Sequence, residues 1–534
     1  MKKWEIIKEY KGDLMDILLE NRGVATKKEK NVFLNPPDPA NLTSKDVGID
    51  KVSVTKAIKR IQNAIKDKES IVVYADYDAD GITAGAIMWE ALHSLGGSVM
   101  PYIPHRVEEG YGLSIKGIDA VREQYDPTLI ITVDHGITAW EKVTYAKKKG
   151  IDVIITDHHV KPKKLPDCTT IHTTKLSGAG VSWFLAKELT SFSPLELVAL
   201  GTIADMVPLV GPNRSIVKYG LAAINNTNRV GLEALMTDAG LTKGALDAYC
   251  VSHMLAPRLN AAGRIEHAMD ALRLICTKQE VKARLLAEKL GLTNRQRQQL
   301  TEEMVLHARE LLPKSPKLLR KLIFISHESY NPGVIGLVAG KLVEEYYRPA
   351  IVVSKGEVFS KASARSINGF NIVEAIRSCS DILVDVGGHP MAAGFTVETK
   401  NLTVLRERLE KLAEDELNEE KLTRTLKIDT EIPLDLVTPE LYKQLQQLQP
   451  FGFGNPESVF ASRSVKVYDV RLVGADGKHL KLRLSSIDAI AFNMGNLYSQ
   501  LQNQATVDLA YTIDMNTWNG TSRLQLKVKD IHIQ

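Results

Sequence analysis

Short apolar runs, each ending on an aspartate, punctuate the first part of this chain. Ile71-Val72-Val73-Tyr74-Ala75 stops at Asp76, Leu129-Ile130-Ile131-Thr132-Val133 at Asp134, and Val153-Ile154-Ile155-Thr156 at Asp157. Consecutive apolar positions rich in β-branched residues predict strands buried on both faces of a parallel sheet. Helical spacing takes over between them, from Ile82 to Leu95 after the first run and from Trp140 to Lys149 after the second. This alternation predicts βαβ units over residues 50–210, after a mixed N-terminal segment, 1–49, with a loop at Asn35-Pro36-Pro37-Asp38-Pro39. Residues 211–315 read as mostly helical. Thr277 with Glu280 forms the pattern of a capping box. Leu300, Met304, Ala308 and Leu311 then recur at helical spacing until Pro313 and Pro316, which predicts a long helix bridging two lobes. A second α/β block, 320–415, opens with the strand Leu322-Ile323-Phe324-Ile325, and the charged stretch Arg406 to Lys421 reads as a solvated helix and linker. Over 424–534, five alternating segments (Val465–Val470, His479–Leu484, Ala489–Phe492, Val507–Thr512 and Leu524–Val528) predict a small β-barrel.

Composition narrows this little. A length of 534 residues exceeds one core, and 44% hydrophobic with 25% charged residues is ordinary for a soluble multidomain protein. The net charge of +4 suits a nucleic-acid partner and many unrelated enzymes alike. Cys168, Cys250, Cys276 and Cys379 form no C-x-x-C pair, which argues against a zinc–thiolate site. No signal-peptide core follows Met1-Lys2-Lys3-Trp4-Glu5, and no apolar run approaches the roughly 18 residues that span a bilayer. The expected location is the cytoplasm, without membrane attachment.

Ligands of open α/β sheets bind beyond the carboxyl ends of the strands. Asp76, Asp78 and Asp80, then Asp134, then Asp157-His158-His159 should therefore gather at one sheet edge. Carboxylates so close together repel unless a cation sits among them. Oxygen with imidazole suits Mn²⁺, Mg²⁺ or Zn²⁺. Adjacent histidines point in different directions, so one can be a ligand while the other meets substrate. Asp205, set in the apolar stretch Gly201 to Leu209, also needs a partner.

Asp78-x-Asp80, Asp134, Asp157-His158-His159 and Asp205 resemble the four motifs of the DHH phosphoesterase superfamily. Asp76 to Gly81, Pro257-Arg258-Leu259-Asn260-Ala261-Ala262-Gly263-Arg264 and Gly387-Gly388-His389-Pro390-Met391-Ala392-Ala393-Gly394-Phe395 narrow the resemblance to the RecJ family of single-strand-specific 5′→3′ DNA exonucleases. The resemblance implies an α/β fold: a parallel-sheet DHH domain and a DHHA1 domain joined by a long helix, with a C-terminal OB-fold barrel.

It implies two Mn²⁺ or Mg²⁺ ions, with Asp134 bridging. Asp78 and Asp80 would hold one ion each, His158 and Asp205 would complete the second, and Asp76 would assist. Asp157 would orient an imidazole, and His159 would face the scissile phosphate. The chain departs from many superfamily members at Tyr74, where those carry a metal-binding His. By resemblance, Arg106, Ser363 and Arg365 bind a terminal phosphate and Tyr111 stacks on a base. Arg258, Asn260 and Arg264 contact the backbone, and Gly387, Gly388 and His389 form a glycine turn that a phosphate approaches. Lys478, Lys481 and Arg483 with Phe451 and Phe453 are the barrel's candidates for gripping the strand.

The expected partners are single-stranded DNA and, beyond it, a helicase or single-strand-binding protein, with the chain acting as a monomer. The competing readings are a DHH phosphodiesterase of short oligonucleotides or cyclic dinucleotides, a family II pyrophosphatase, and a non-catalytic single-strand-binding replication scaffold.

Overall fold

The structure is a computed structural model that describes residues 2–106, 109–315, 318–485, 487–502, 505–518 and 521–534. It divides into two compact units. The first comprises Ile6–Leu292 with Lys427–Gln534, and the second comprises Lys2–Glu5 with Thr293–Leu426.

In the first unit, five strands form a wholly parallel sheet in the spatial order Ser98–Tyr102, Ser70–Ala75, Leu129–Val133, Asp152–Asp157, Thr169–His172. The order reverses between the second and third of these, so a crevice opens there beyond the carboxyl ends. All five positions of Leu129–Val133 are buried, which is why that run carries no polar alternation. The register pairs Ala75 with Val133 and Val133 with Thr156. The residue following each strand therefore emerges at one level of the edge. Helices Ala79–Ser94 and Gly178–Leu189 bury against this sheet and share a core with Ile71, Val73, Ile131 and Ile154. Each such buried aliphatic side chain contributes roughly 1.5–3 kcal/mol.

Helices Leu195–Ala204 and Gly211–Asn225 follow. Arg214 on the latter is buried, with its guanidinium over the Phe33 ring (3.8 Å). It donates to the carbonyls of Phe33 (2.6 Å), Leu448 (3.0 Å) and Gln449 (2.7 Å). That one side chain ties the N-terminal segment and the start of the C-terminal region to the sheet domain. The C-terminal region is a seven-stranded sheet in the order Thr430–Glu431, Phe460–Lys466, Thr506–Trp518, Thr521–Ile533, Asp488–Ala491, His479–Arg483, Asp469–Val473. The expected strand Val465–Val470 is in fact the end of one strand and the start of another, because the chain breaks pairing at Val467 and Tyr468.

Helix Glu280–Glu310 contains the boundary between the units. Its N-terminus differs from expectation: Thr277 is the C-cap of the preceding helix, Met269–Cys276, and its hydroxyl accepts from the Gln279 amide, so no capping box forms. Of its expected closing prolines, Pro316 lies outside the described residues.

The second unit holds a sheet in the order Leu383–His389, Ala392–Glu398, Phe359–Arg365, Ala350–Ser354, Ile323–His327. Helix Leu402–Glu416 is amphipathic rather than fully solvated, burying Leu405, Leu409 and Ala413. Gly387 and Gly388 do not form a turn. They sit inside the edge strand, opposite Gly394 and Ala393. A β-carbon on Gly388 would fall 2.3 Å from the Ala392 carbonyl oxygen, so glycine there lets two backbones close on each other. Among the described residues no helix is long and apolar enough to cross a membrane.

Candidate functional site

Asp76, Asp134 and Asp157 end three adjacent strands and are all buried. Their neighbours complete three overlapping groups of ligand-type atoms, each group within 4.8 Å: Asp76, Asp78 and Asp134; Asp80, His158 and Asp205; and Asp134, His158 and His159. His158 Nε2 lies 3.1 Å from Asp134 Oδ1 and 3.6 Å from Asp205 Oδ2.

Main-chain N–H groups hold most of these side chains. Asp78 caps helix Ala79–Ser94, accepting from the amides of Asp80 and Gly81 (both 3.0 Å). Asp80 accepts from the first two amides of helix Gly178–Leu189, Gly178 (2.6 Å) and Ala179 (2.9 Å). That helix end favours negative charge. Asp157 accepts from the amides of Ile137 (2.8 Å), His158 (2.6 Å) and His159 (3.0 Å), and from His159 Nδ1 (2.8 Å). Asp134 adopts φ +67°, a left-handed conformation a non-glycine residue rarely takes, which turns its carboxylate toward the crevice. Glycines leave room for the carboxylates. A β-carbon at Gly178 would lie 2.2 Å from Asp134 Oδ1, and one at Gly201 would lie 2.5 Å from Asp80 Oδ1.

Electrostatically the cluster is frustrated without a cation. Burial, and then the neighbouring carboxylates, push Asp76 and Asp134 well above the usual range. The same causes raise Asp80 to about 7 and Asp205 to about 9. Asp157 goes the other way: burial opposes ionisation, but the His159 imidazole and the amide donors hold it below its ordinary value. His159 is raised: burial lowers it, but its bond to Asp157 together with the charges of Asp157, Asp76 and Asp78 more than offsets that. Asp76 Oδ1 and Asp134 Oδ1 are buried and accept no well-formed hydrogen bond, the latter having the His158 imidazole beside it (3.1 Å). Orphaned oxygens, a surplus of negative charge and a glycine-lined cradle fit divalent cations held by oxygen and imidazole.

The Tyr74 ring packs between Tyr102 (centroids 5.0 Å) and His135 (5.3 Å), and its carbonyl pairs with His135 Nε2 (3.0 Å). Beside the cluster, Arg106 lies over the Tyr77 ring (4.9 Å), Tyr111 packs edge-on to Tyr77 (6.3 Å), and the Tyr111 hydroxyl meets His159 Nε2 (3.2 Å).

Arg258 and Asn260 are both engaged within the protein. Arg258 is turned into an ion pair with Asp238 (2.8 Å) and a bond to the Met254 carbonyl (2.7 Å). Asn260 Oδ1 accepts from the Ala79 amide (2.7 Å), bracing the start of the helix that Asp78 caps. Arg264 ends the same helix, Ala256–Ile265, on the side of Tyr77.

In the second unit, Ser363 and Arg365 lie two residues apart on one strand face, with Arg365 Nη1 donating to Ser363 Oγ (3.3 Å). A β-carbon at Gly336, in the first turn of helix Ile335–Tyr346, would come within 2.9 Å of Ser363 Oγ and 3.2 Å of Arg365 Nη2. His389 ends the edge strand that carries Gly387 and Gly388.

In the C-terminal sheet, Lys481 and Arg483 share the exposed face opposite buried Leu480 and Leu482, both near Asp488 (3.7 and 3.4 Å). Lys478 pairs with Asp476 (2.7 Å). Phe451 packs on the core, whereas Phe453 is more than half exposed. Phe453 lines a groove of about 1300 Å³ that begins beside Asp205 at Met206 and also meets Tyr249, Phe492 and Lys529.

Several contributors carry no signal of their own in the sequence. Tyr77 lies inside the first motif, but its role comes from Arg106 and Tyr111 closing over it. His172 fixes the backbone after Asp157 by bonding the His159 carbonyl (2.7 Å).

Three family models match the chain: the DHH family, N-terminal domain, over residues 70–205; the DHHA1 domain over 318–415; and the RecJ OB domain over 428–530. The single-stranded-DNA-specific exonuclease RecJ of Bacillus subtilis is 37% identical over 536 residues, spanning 97% of this chain and 67% of that protein. Among solved structures, RecJ from Thermus thermophilus in complex with Mn²⁺ superposes with a TM-score of 0.85 at 30% identity, covering 99% of this chain and 79% of that one. The same protein in complex with Mg²⁺ gives a TM-score of 0.79 at 28% identity, covering 99% and 78%.

Proposed function

Because this chain belongs to the RecJ family, we propose that it is a metal-dependent exonuclease that hydrolyses single-stranded DNA from the 5′ end, releasing 5′-mononucleotides. The observation that carries the reading is the pair of interlocking ligand groups at the strand ends, Asp76–Asp78–Asp134 and Asp80–His158–Asp205, brought together through His158 and Asp134. Asp76, Asp78, Asp80, Asp134, His158 and Asp205 would hold two Mn²⁺ or Mg²⁺ ions. Bound there, they supply the Lewis acidity that makes water a nucleophile near neutral pH and offset charge building on the phosphoryl oxygens.

The chain's own groups supply the rest. Asp157 holds His159 through Nδ1–H and favours the protonated ring, whose Nε2–H, set against the Tyr111 hydroxyl (3.2 Å), would donate to a phosphate oxygen. Arg106 brings a fixed positive charge and Tyr111 a ring for the terminal nucleotide. Ser363, Arg365 and the adjoining helix start, with Gly387, Gly388 and His389 on the edge strand, are the donors we assign to the strand's terminal phosphate. The groove past Phe453 and Tyr249, together with Lys481 and Arg483 on the C-terminal sheet, is assigned to the strand that follows. We further propose that the protein acts in the cytoplasm as a monomer, in repair or recombination, on strands exposed by a helicase and shared with single-strand-binding protein.

A time course on single strands labelled at the 5′ or the 3′ end, with Mn²⁺, tests the reading. It predicts that 5′ label leaves at once as mononucleotide while 3′ label stays on shortening products. Immediate release of 3′ label, or faster turnover of dinucleotides than of long strands, contradicts it.

A further inference from the structure

The loop between strand Ser98–Tyr102 and helix Ile115–Tyr125 carries both Arg106 and Tyr111, yet no regular element fixes its described residues. Glu109 does. Its Oε1 accepts from the His105 amide (2.7 Å) and its Oε2 from the Tyr102 hydroxyl (2.8 Å). The Glu109 amide donates back to the His105 carbonyl (2.9 Å), so the chain closes on itself next to Arg106. A carboxylate accepts on both arms; an amide keeps a single acceptor oxygen and meets the Tyr102 hydroxyl only by reversing that bond and giving up the charge. A β-carbon on Gly117, in the first turn of helix Ile115–Tyr125, would lie 2.0 Å from the Tyr74 hydroxyl and 2.9 Å from Glu109 Oε2, so the glycine makes room for both side chains. A helix start favours the negative charge.

We propose that Glu109 is a positioning residue for substrate binding: it fastens the loop so that Arg106 over Tyr77 and Tyr111 beside His159 are set before the strand arrives. The inference rests on the proposed role of Arg106 and Tyr111 at the terminal nucleotide. Glu109 touches no reacting atom, so its loss acts on capture of the strand and spares chemistry on a strand already bound.

The test is Glu109→Gln, with KM and kcat on 5′-phosphorylated single strands and Mn²⁺ affinity measured on the same protein. The expected result is a KM raised about tenfold, the effect of losing roughly one well-made hydrogen bond, with kcat within about threefold and Mn²⁺ affinity unchanged. Tyr102→Phe removes one donor and leaves the carboxylate; it should raise KM about threefold, and it decides the matter if Glu109→Gln does not fold. A KM within twofold of native in the variant that folds, or a KM increase matched by an equal loss of Mn²⁺ affinity, overturns the inference. Arg106→Ala and Tyr111→Ala run alongside. Raised KM in both with native KM in Glu109→Gln overturns the role of Glu109 alone, whereas native KM in both overturns the substrate assignment as well.

Discussion

The carboxylate cluster and the loop that carries Arg106 and Tyr111 adjoin each other but are held by different means. The cluster hangs on main-chain amides: Asp78, Asp80 and Asp157 between them accept seven backbone N–H groups. The loop hangs chiefly on side chains, Glu109 to Tyr102 and Arg106 over Tyr77. Groups tied to main-chain amides at helix starts and in the turns that follow buried strands cannot drift, which suits chemistry that tolerates little misplacement. Groups tied by side chains can be tuned one at a time, which suits recognition. The two regions should therefore fail differently, one steeply and the other by degrees.

The largest effect is expected at Asp134, shared by two of the ligand groups. Asp134→Ala should lower cleavage by at least about a thousandfold while strand binding persists, in steady-state rates and binding titrations with Mn²⁺. Wild-type-like cleavage would break the contrast at its steep end.

A smaller effect is expected on stability of the metal-free protein. Asp80 and Asp205 bind protons more tightly in the fold, at about 7 and about 9, than in the unfolded chain, at 3.8. For an acid raised in this way the native state holds more protons than the unfolded state, so stability falls as pH rises toward the folded value. His159, also raised, acts in the same direction. His135, lowered to about 4 by burial, acts oppositely but only below its ordinary value of 6.5. Between pH 6.5 and 9 the Tm in chelator should therefore drop by several degrees, about 1.4 kcal/mol at most for each group and pH unit traversed. Mn²⁺ should flatten the slope. A Tm that climbs with pH in chelator would refute the charge account of the cluster.

The smallest effect is expected at Tyr74. Its ring packs between Tyr102 and His135 in an apolar cluster with Val72, Ile118 and Ile130, so Tyr74→Phe should leave cleavage and Mn²⁺ affinity within about twofold, measured as above. A tenfold loss of Mn²⁺ affinity would bring this residue into the metal cluster.

What was legible in the sequence follows from the same contrast. Strands buried on both faces are apolar at every position, so the aspartates that end them stand out, and parallel pairing in register delivers Asp76, Asp134 and Asp157 to one edge. Asp205 was legible as a charge in apolar company. Glu109, Tyr77 and Arg214 were not, because each works through a partner that only the tertiary structure supplies: Tyr102 and His105, Arg106, and the carbonyls of Phe33, Leu448 and Gln449. Local rules misled where a neighbour competed. Thr277 satisfies a capping pattern yet ends the helix before it, and Gly387–Gly388 reads as a turn yet pairs across Gly394 and Ala393 as strand. The bonds of Asn260 to the Ala79 amide and of Arg258 to Asp238 were not legible either, because a residue that braces a neighbouring element looks the same in sequence as one that meets substrate.

Counting bound Mn²⁺ by equilibrium dialysis on the native chain and on Asp134→Asn tests the central claim most directly. Two ions per native chain, with both bound at least about a hundredfold more weakly in the variant, is the result predicted for cations that share this carboxylate. Two ions retained at native affinity in Asp134→Asn would contradict it.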